Sequence, residues 1–183
     1  MDYLAEWPEV FASIRARVWP ILRDFAIGIE HVGSTAVPGL AAKPIIDIDV
    51  IVASRREIPL AVTRLGRRGY RHLGDLGIED RDGFRPPSDA PAHHLYVCPV
   101  GSLALRNHIA VRDYLHAHPS DAAAYTDLKK KLAREYARDR DAYGMGKTEF
   151  ILSILSKCGF SPDSLDAIRR GNHNPTALGA EEL

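Results

Sequence analysis

Two aspartates in an otherwise apolar run, Asp47 and Asp49, are the residues whose types and spacing most plainly suggest chemistry. Residues 45–52 (Ile-Ile-Asp-Ile-Asp-Val-Ile-Val) are mostly β-branched and free of Gly and Pro, which predicts a strand buried among neighbours. Residues two apart in a strand share a face and stand roughly 6.5–7 Å apart. Asp47 and Asp49 therefore point one way, and Ile46, Ile48 and Val50 the other. Two like charges on one face of a central strand repel and resist desolvation, so the pattern needs a compensating partner. A divalent cation that prefers oxygen ligands, Mg²⁺ or Mn²⁺, is such a partner and would work on a phosphorylated substrate. The alternative is that both carboxylates face open water or pair with Lys and Arg.

Upstream lies the turn His31-Val32-Gly33-Ser34-Thr35. Gly33 can take φ > 0 and lets a ligand approach the backbone closely, so a Cβ there is expected to block phosphate while sparing the fold. Ser34 or Thr35 can cap a short helical turn whose N–H groups form an anion site. A phosphate-binding turn followed by an Asp-x-Asp strand is the arrangement expected of a nucleotidyltransferase. In such an arrangement the turn, through Gly33 and Ser34, would hold the β/γ-phosphates, and Asp47 and Asp49 would be the catalytic, metal-holding pair. One Asp could also serve as general base, since the metal lowers the acceptor's pKa. Lys43, at the mouth of the strand, would neutralise charge developing on pyrophosphate. Its alternative is a solvated lysine before Pro44.

The elements that must position these groups can be read in order. Val10, Phe11, Ile14, Val18, Ile21, Leu22 and Phe25 form a helical face interrupted by Pro20, which predicts a kinked helix or two short ones. Residues 27–32 form the first strand. Ser54 caps a helix in which Ile58, Leu60, Val62 and Leu65 pack, and Gly69 ends it. Residues 70–89 contain Gly74, Gly77, Gly83, Pro86 and Pro87 with Asp75, Glu79, Asp80 and Asp82. They read as a short strand near 70–73, an acidic loop, and a second strand near Phe84. Such loops beside a sheet act as lids or as plain exposed connections.

Residues 93–100 form the next strand, in which adjacent side chains face opposite ways. Leu95 and Val97 read as core, which puts His94, Tyr96 and Cys98 on the other face and makes His94 the histidine near metal or phosphates. A hydrogen-bonded structural histidine is the alternative. Nucleotidyltransferases usually add a third strand carboxylate, and this strand has none. Either Glu79, Asp80 or Asp82 completes the set, or His94 substitutes, or metal chemistry has been lost.

From Ser102 the pattern turns helical. Leu103, Leu105, Ile109, Val111 and Leu115 suit one helix ending at His118-Pro119. Ser120 or Asp121 caps the next, with Tyr125, Leu128, Leu132 and Tyr136 at helical spacing. Lys129-Lys130-Lys131 reads as a solvated face. A last helix runs from about Lys147 to Cys158, after Gly144-Met145-Gly146, and buries Phe150, Ile151, Ile154 and Leu155. A cation at a helix N-terminus needs an anion nearby, which makes Lys147 a candidate phosphate contact. Ser161-Pro162 opens a tail, with Gly171-Asn172-His173-Asn174-Pro175, expected to be loosely held.

With 183 residues, 45% of them hydrophobic, the chain can bury one good core. A single domain over 1–160 fits, with a sheet core in 1–100, a helical segment in 101–160 and the tail in 161–183. The 24 basic and 24 acidic residues cancel, so no global field draws in nucleic acid or membrane. No stretch reaches the ~18 consecutive apolar residues of a membrane helix, and the acidic N-terminus lacks a signal-peptide pattern. Cys98 and Cys158, far apart and without metal-ligand spacing, suggest free thiols in a reducing cytoplasm.

The block His31-Val-Gly-Ser-Thr-Ala-Val-Pro-Gly-Leu-Ala-Ala-Lys-Pro-Ile-Ile-Asp-Ile resembles the signature of the GrpB family, small bacterial proteins within the nucleotidyltransferase superfamily. Two further blocks match: His93-His94-Leu95-Tyr96-Val97-Cys98, and Arg112-Asp113-Tyr114-Leu115 through Tyr125, Leu128-Lys129 and Lys147. The similarity spans roughly residues 5–158 and implies a nucleotidyltransferase-like α/β (α+β) fold. In that fold a small mixed sheet carries helices on one face, and a C-terminal helical segment closes over the other. The resemblance also turns Lys129 toward the site. The expected function is binding of a nucleoside triphosphate with Mg²⁺ or Mn²⁺ and transfer of a nucleoside monophosphate to an unknown acceptor. Gly33, Ser34, Lys43, His94, Lys129 and Lys147 would bind the nucleotide. A non-catalytic nucleotide- or anion-binding module and a protein-interaction adaptor are the competing classes.

Overall fold

The computed structural model describes residues 1–172. Helix α1 (Trp7–Leu22) buries Trp7, Ile14, Val18 and Leu22 and runs through Pro20 as one element. The carbonyl that Pro20 leaves without a donor belongs to Ala16. Both residues lie on the exposed side, and the helix continues through them as one element and not as two short ones.

Five strands follow: β1 (Ala26–Val32), β2 (Ile46–Val52), β3 (Arg71–Gly74), β4 (Asp82–Arg85) and β5 (His93–Pro99), in spatial order β1-β2-β5-β4-β3. Among the described strands only β2 and β5 run parallel. The sheet is mixed, and β2 lies inside it with a partner on each side. Its register sets Asp47 against His94 and Asp49 against Tyr96. Ile46, Ile48, Val50 and Val52 of β2 and Leu95 and Val97 of β5 form the core against α1 and helix α2 (Ile58–Gly66). The strand period of two then commits Asp47, Asp49, His94, Tyr96 and Cys98 to the opposite face.

Ser54 and Glu57 form a capping box on a single 3₁₀ turn, Arg55–Glu57, which runs into α2. Ile58, Ala61 and Leu65 define the buried face of α2. Leu60, expected to pack, falls outside that stripe and is 40% exposed.

Three helices cover the other side: α3 (Leu103–Ala117), α4 (Pro119–Glu135) and α5 (Arg140–Lys157). Ser102 caps α3. Neither Ser120 nor Asp121 caps α4, which opens on Pro119 as its first helical residue. The Asp121 carboxylate instead accepts hydrogen bonds from Tyr114 (2.6 Å) and Lys157 (3.0 Å). Val37 and Leu40, just after the Gly33 turn, pack with Leu115, Ala122, Tyr125 and Ile154, which fastens the turn to all three helices.

Helix α5 starts at Arg140, capped by Asp139, so Lys147 lies in mid-helix and not at an N-terminus. The glycines that suggested a break lie within the helix. A Cβ on Gly146 would come within 2.5 Å of Leu132 Cδ2, so this glycine allows α4 and α5 to approach. A sixth helix, α6 (Pro162–Asn172), occupies part of the expected loose tail and buries Ile168 against Leu152 and Leu155. His173-Asn174-Pro175 lies outside the described residues. Among those described, no helix is long and apolar enough to cross a membrane.

Candidate functional site

Asp47 and Asp49 find compensation within the protein, and from histidines. His94 Nδ1 donates to Asp47 Oδ1 at 2.8 Å, from the neighbouring strand. His108 Nδ1 donates to Asp49 Oδ2 at 2.8 Å, from α3. The Asp49 side chain is fully buried, whereas that of Asp47 is 32% exposed. The second oxygen of Asp49, Oδ1, is buried with no hydrogen-bond partner. Burial pushes the Asp47 carboxyl up. The hydrogen bond and charge of His94, with His108 and Lys147 behind them, outweigh that and hold it below the usual carboxylate range.

Gly33 has φ +69° and ψ −168°, a region essentially reserved for glycine. A Cβ there would stand 2.2 Å from Asp47 Oδ2. The protein group that approaches this backbone so closely is the Asp47 carboxylate. Gly33 itself caps the short 3₁₀ turn Ser34–Ala36, so Ser34 and Thr35 are not its caps. Thr35 Oγ1 lies 2.9 Å from His31 Nε2. Burial pulls His31 down to about 4, with Arg112 and His116 adding to it and Asp47 opposing.

Ser34 Oγ accepts a hydrogen bond from Lys129 Nζ at 2.8 Å. Lys129 is only 6% exposed, so it does not belong to a solvated face. It also donates to the Ala41 carbonyl and lies 4.7 Å from the Tyr125 ring centroid. Burial, with the charge of Lys147, pulls it down to about 7 against the upward pull of Asp47. Lys147 lines the same cleft, of about 240 Å³, as Gly33, Ser34, Asp47 and His94. Lys43 is exposed and borders a smaller pocket that opens on Ser34, Asp47, His94, Lys129 and Lys147. Six of the residues singled out from the sequence, Gly33, Ser34, Lys43, His94, Lys129 and Lys147, therefore gather around Asp47, while Asp49 shares its strand face but is fully buried and lines neither space.

The loop acids do not join them. Glu79 and Asp80 pair with Arg55 at 3.4 and 3.0 Å, and Asp82 with His72 at 2.7 Å. Among the described residues no group of three or more His, Cys, Asp or Glu is placed to hold a metal ion. His93 faces away, bonded to Tyr70 Oη and the Pro91 carbonyl. Cys98 shares the face of the site but is buried, and burial pushes its thiol well up, with Asp49 adding to it.

Three contributors escaped the sequence. His108 and Arg112 stand one helical turn apart on α3, and that spacing was the available signal. Arg112 donates to Glu30 (2.7 Å) and the His31 carbonyl (2.9 Å), bracing α3 on β1 beside the cleft. Arg81, from the loop whose acids turn away, lines the cleft with its guanidinium 4.6 Å from the Tyr96 ring centroid.

Comparison with known proteins agrees with this architecture. The chain is 33% identical over 156 residues to the glutamate-rich protein GrpB of Alkalihalophilus pseudofirmus, covering 82% of this chain and 90% of that one. It is 37% identical over 155 residues to a UPF0157 protein of Pseudomonas aeruginosa (82% of this chain, 63% of that one). With a UPF0157 protein of Bacillus subtilis it shares 35% identity over 149 residues (81% of this chain) but spans only 43% of that protein's length. The crystal structure of GrpB from Enterococcus faecalis superposes with a TM-score of 0.76 at 32% identity, covering 93% of this chain and 97% of that one. The Cid1 poly(U) polymerase with MgGTP bound superposes at 0.56 and 14% identity (80% of this chain, 50% of that one), a likeness of fold alone. The fold is nucleotidyltransferase-like. The model of the GrpB protein family matches residues 1–157, and the chain belongs to that family.

Proposed function

We propose that this GrpB-family chain binds a nucleoside triphosphate together with Mg²⁺ or Mn²⁺ and transfers a nucleoside monophosphate to an acceptor. One observation carries the reading: the Gly33-Ser34 turn, Asp47 and Lys147 of α5 line one cleft, and the adjoining pocket adds Lys129 of α4, which bonds Ser34. The turn and both lysines come from separate parts of the chain, and a polyanion is the ligand that uses them together.

The carboxylates fit a hard cation in part. The buried, unpartnered Oδ1 of Asp49 is a free oxygen donor, and Asp47 shares its face. A histidine already engages one oxygen of each. Asp47 and Asp49 therefore suit a cation as two of its ligands, with the triphosphate and water completing the set. Once bound, such a cation would polarise the phosphate and lower the pKa of the acceptor's hydroxyl. Lys129 and Ser34 would hold terminal phosphate oxygens, while Lys147 and Lys43 offset charge on the departing pyrophosphate. Asp47, the more exposed acid, can reach an acceptor proton, and His94 fixes its orientation.

The histidine pairing of both acids favours a second reading, a nucleotide- or anion-binding module without metal chemistry. Thermal shifts with ATP, GTP, CTP and UTP, each with and without Mg²⁺ or Mn²⁺, separate the two. The transfer reading expects little shift with metal alone. It expects a distinctly larger shift with nucleotide plus metal than with nucleotide alone, and loss of that metal increment in Asp47→Asn/Asp49→Asn. Stabilisation by nucleotide regardless of metal, unchanged in the double variant, would leave only the binding module. No response to any nucleotide would sink both.

A further inference from the structure

The cleft continues past Tyr96 into a second cavity of about 400 Å³, between α3, α6 and the loop that precedes β4. Arg81, Asn107 and Asn172 line both spaces. Arg81 is 8% exposed. Its guanidinium lies over the Tyr96 ring, which covers a face of the group and leaves hydrogen bonding to its in-plane N–H donors. Its Nε is buried with no hydrogen-bond partner. The nearby acids have other partners, Asp80 with Arg55 (3.0 Å), Asp82 with His72 (2.7 Å) and Asp49 through Oδ2 with His108 (2.8 Å), while Glu79 and Asp80 also line the second cavity. Among the described residues no carboxylate forms an ion pair with Arg81. A guanidinium cannot shed its proton to escape the cost of burial, as a lysine can. A buried, permanent cation without a counter-ion is costly, and a ligand that brings the missing anion removes that cost.

We propose that Arg81 receives an oxyanion, a carboxylate or phosphate group, at the junction of the two cavities, and that this group belongs to a small acceptor molecule. Assigning the anion to the acceptor rests on the transfer reading above, since the triphosphate would use the Ser34, Lys129 and Lys147 side of the cleft. The near-complete burial of Arg81 limits the ligand to a molecule small enough to enter the cavity, which has the size of small-molecule sites.

The test uses succinate and glycerol 3-phosphate as probes, titrated separately into the full chain. The readout is the ¹H–¹⁵N resonance of Arg81 Nε, identified by its absence from the spectrum of Arg81→Lys. A saturable shift with either probe is the expected result, and the probe that gives it identifies the group as carboxylate or phosphate. Arg81→Gln should weaken that binding by roughly ten- to a hundredfold, as expected for losing hydrogen bonds to a charged group. The same variant should melt no lower than wild type without ligand, because it removes an uncompensated charge. Silence of the Nε resonance toward both probes overturns the proposal, as does a marked fall in melting temperature, which would make Arg81 a structural brace. ATP with Mg²⁺ keeps the two readings apart. Loss of its stabilisation in Arg81→Gln would place Arg81 in the nucleotide site and overturn the proposal. If ATP fails to stabilise even wild type while the Nε resonance titrates, the oxyanion site stands and the transfer reading falls.

Discussion

Replacing Gly33 with alanine should damage the fold, and the structure sets the size of the effect. The backbone at φ +69°, ψ −168° costs an L-residue about 1–3 kcal/mol. The new Cβ would also lie 2.2 Å from Asp47 Oδ2, 2.8 Å from its Cγ and 2.9 Å from its Cβ. The last of these atoms is fixed by the backbone of β2, so rotating the aspartate cannot clear the contact. Displacing the carboxylate would break the His94 hydrogen bond, a charge-assisted contact of about 1.5–3 kcal/mol. Together the two effects come to about 2.5–6 kcal/mol, a large share of a typical stability of about 5–15 kcal/mol. Urea denaturation of Gly33→Ala, Asp47→Gly and the double variant would measure it. Asp47→Gly removes all three opposing atoms, so in that background the alanine should cost only the backbone part, about 1–3 kcal/mol. An unchanged urea midpoint for Gly33→Ala, or the same loss in both backgrounds, would refute the account.

Two further substitutions test the helical side. Lys129, pulled to about 7 by burial, releases its proton in the folded chain while the unfolded chain keeps it up to its ordinary 10.5. Stability should therefore rise with pH between about 7 and 10.5, and in Lys129→Met that slope should flatten; identical pH dependence of the urea midpoint in both proteins would disprove it. Gly146→Ala improves helix propensity by about 1 kcal/mol, yet its Cβ would meet Leu132 Cδ2 at 2.5 Å, an overpacking cost of about 1–3 kcal/mol that should leave a net loss of up to about 2 kcal/mol. Adding Leu132→Ala should cost less on the Gly146→Ala background than on wild type, and a strictly additive pair of melting shifts would count against the contact.

What the sequence disclosed follows from how far each signal reaches. The alternation in residues 45–52 places Asp47 and Asp49 on one face, because a strand's period of two is a local property. The same rule separates His93 from His94. Periodicity does not say what the polar residues of a helix face. His108 lies 59 residues from Asp49 and sits in a helix recognisable by its leucines, so its partner appears only once α3 is laid on the sheet. The loop acids Asp80 and Asp82 read as candidates to complete the metal set, yet they pair with Arg55 and His72, while the arginine between them lies over the Tyr96 ring. Glycine misled twice. At Gly33 the close neighbour is a side chain of the protein itself. At Gly146 the residue makes room between helices and does not end one. Lys147 reaches the cleft all the same, though from mid-helix, which removes the dipole argument that first picked it out.

The histidines change what kind of site this is. A three-acid metal site gathers enough negative charge to hold a divalent cation by itself. Here each of the two acids shares one oxygen with a histidine, and Lys129, Lys147 and Arg81 stand around them. That surrounding favours anions over a bare cation. A triphosphate reverses the balance, because its oxygens both answer the lysines and supply the ligands that the protein lacks. Metal and nucleotide should then bind as one unit, each weak without the other, and the coupling falls on Asp49 Oδ1, the oxygen without a partner. Exchanging Asp49 alone for asparagine keeps the shape of the side chain and removes its charge. If the coupling is right, that change should abolish the metal-dependent part of any nucleotide-induced thermal shift and leave the metal-independent part in place.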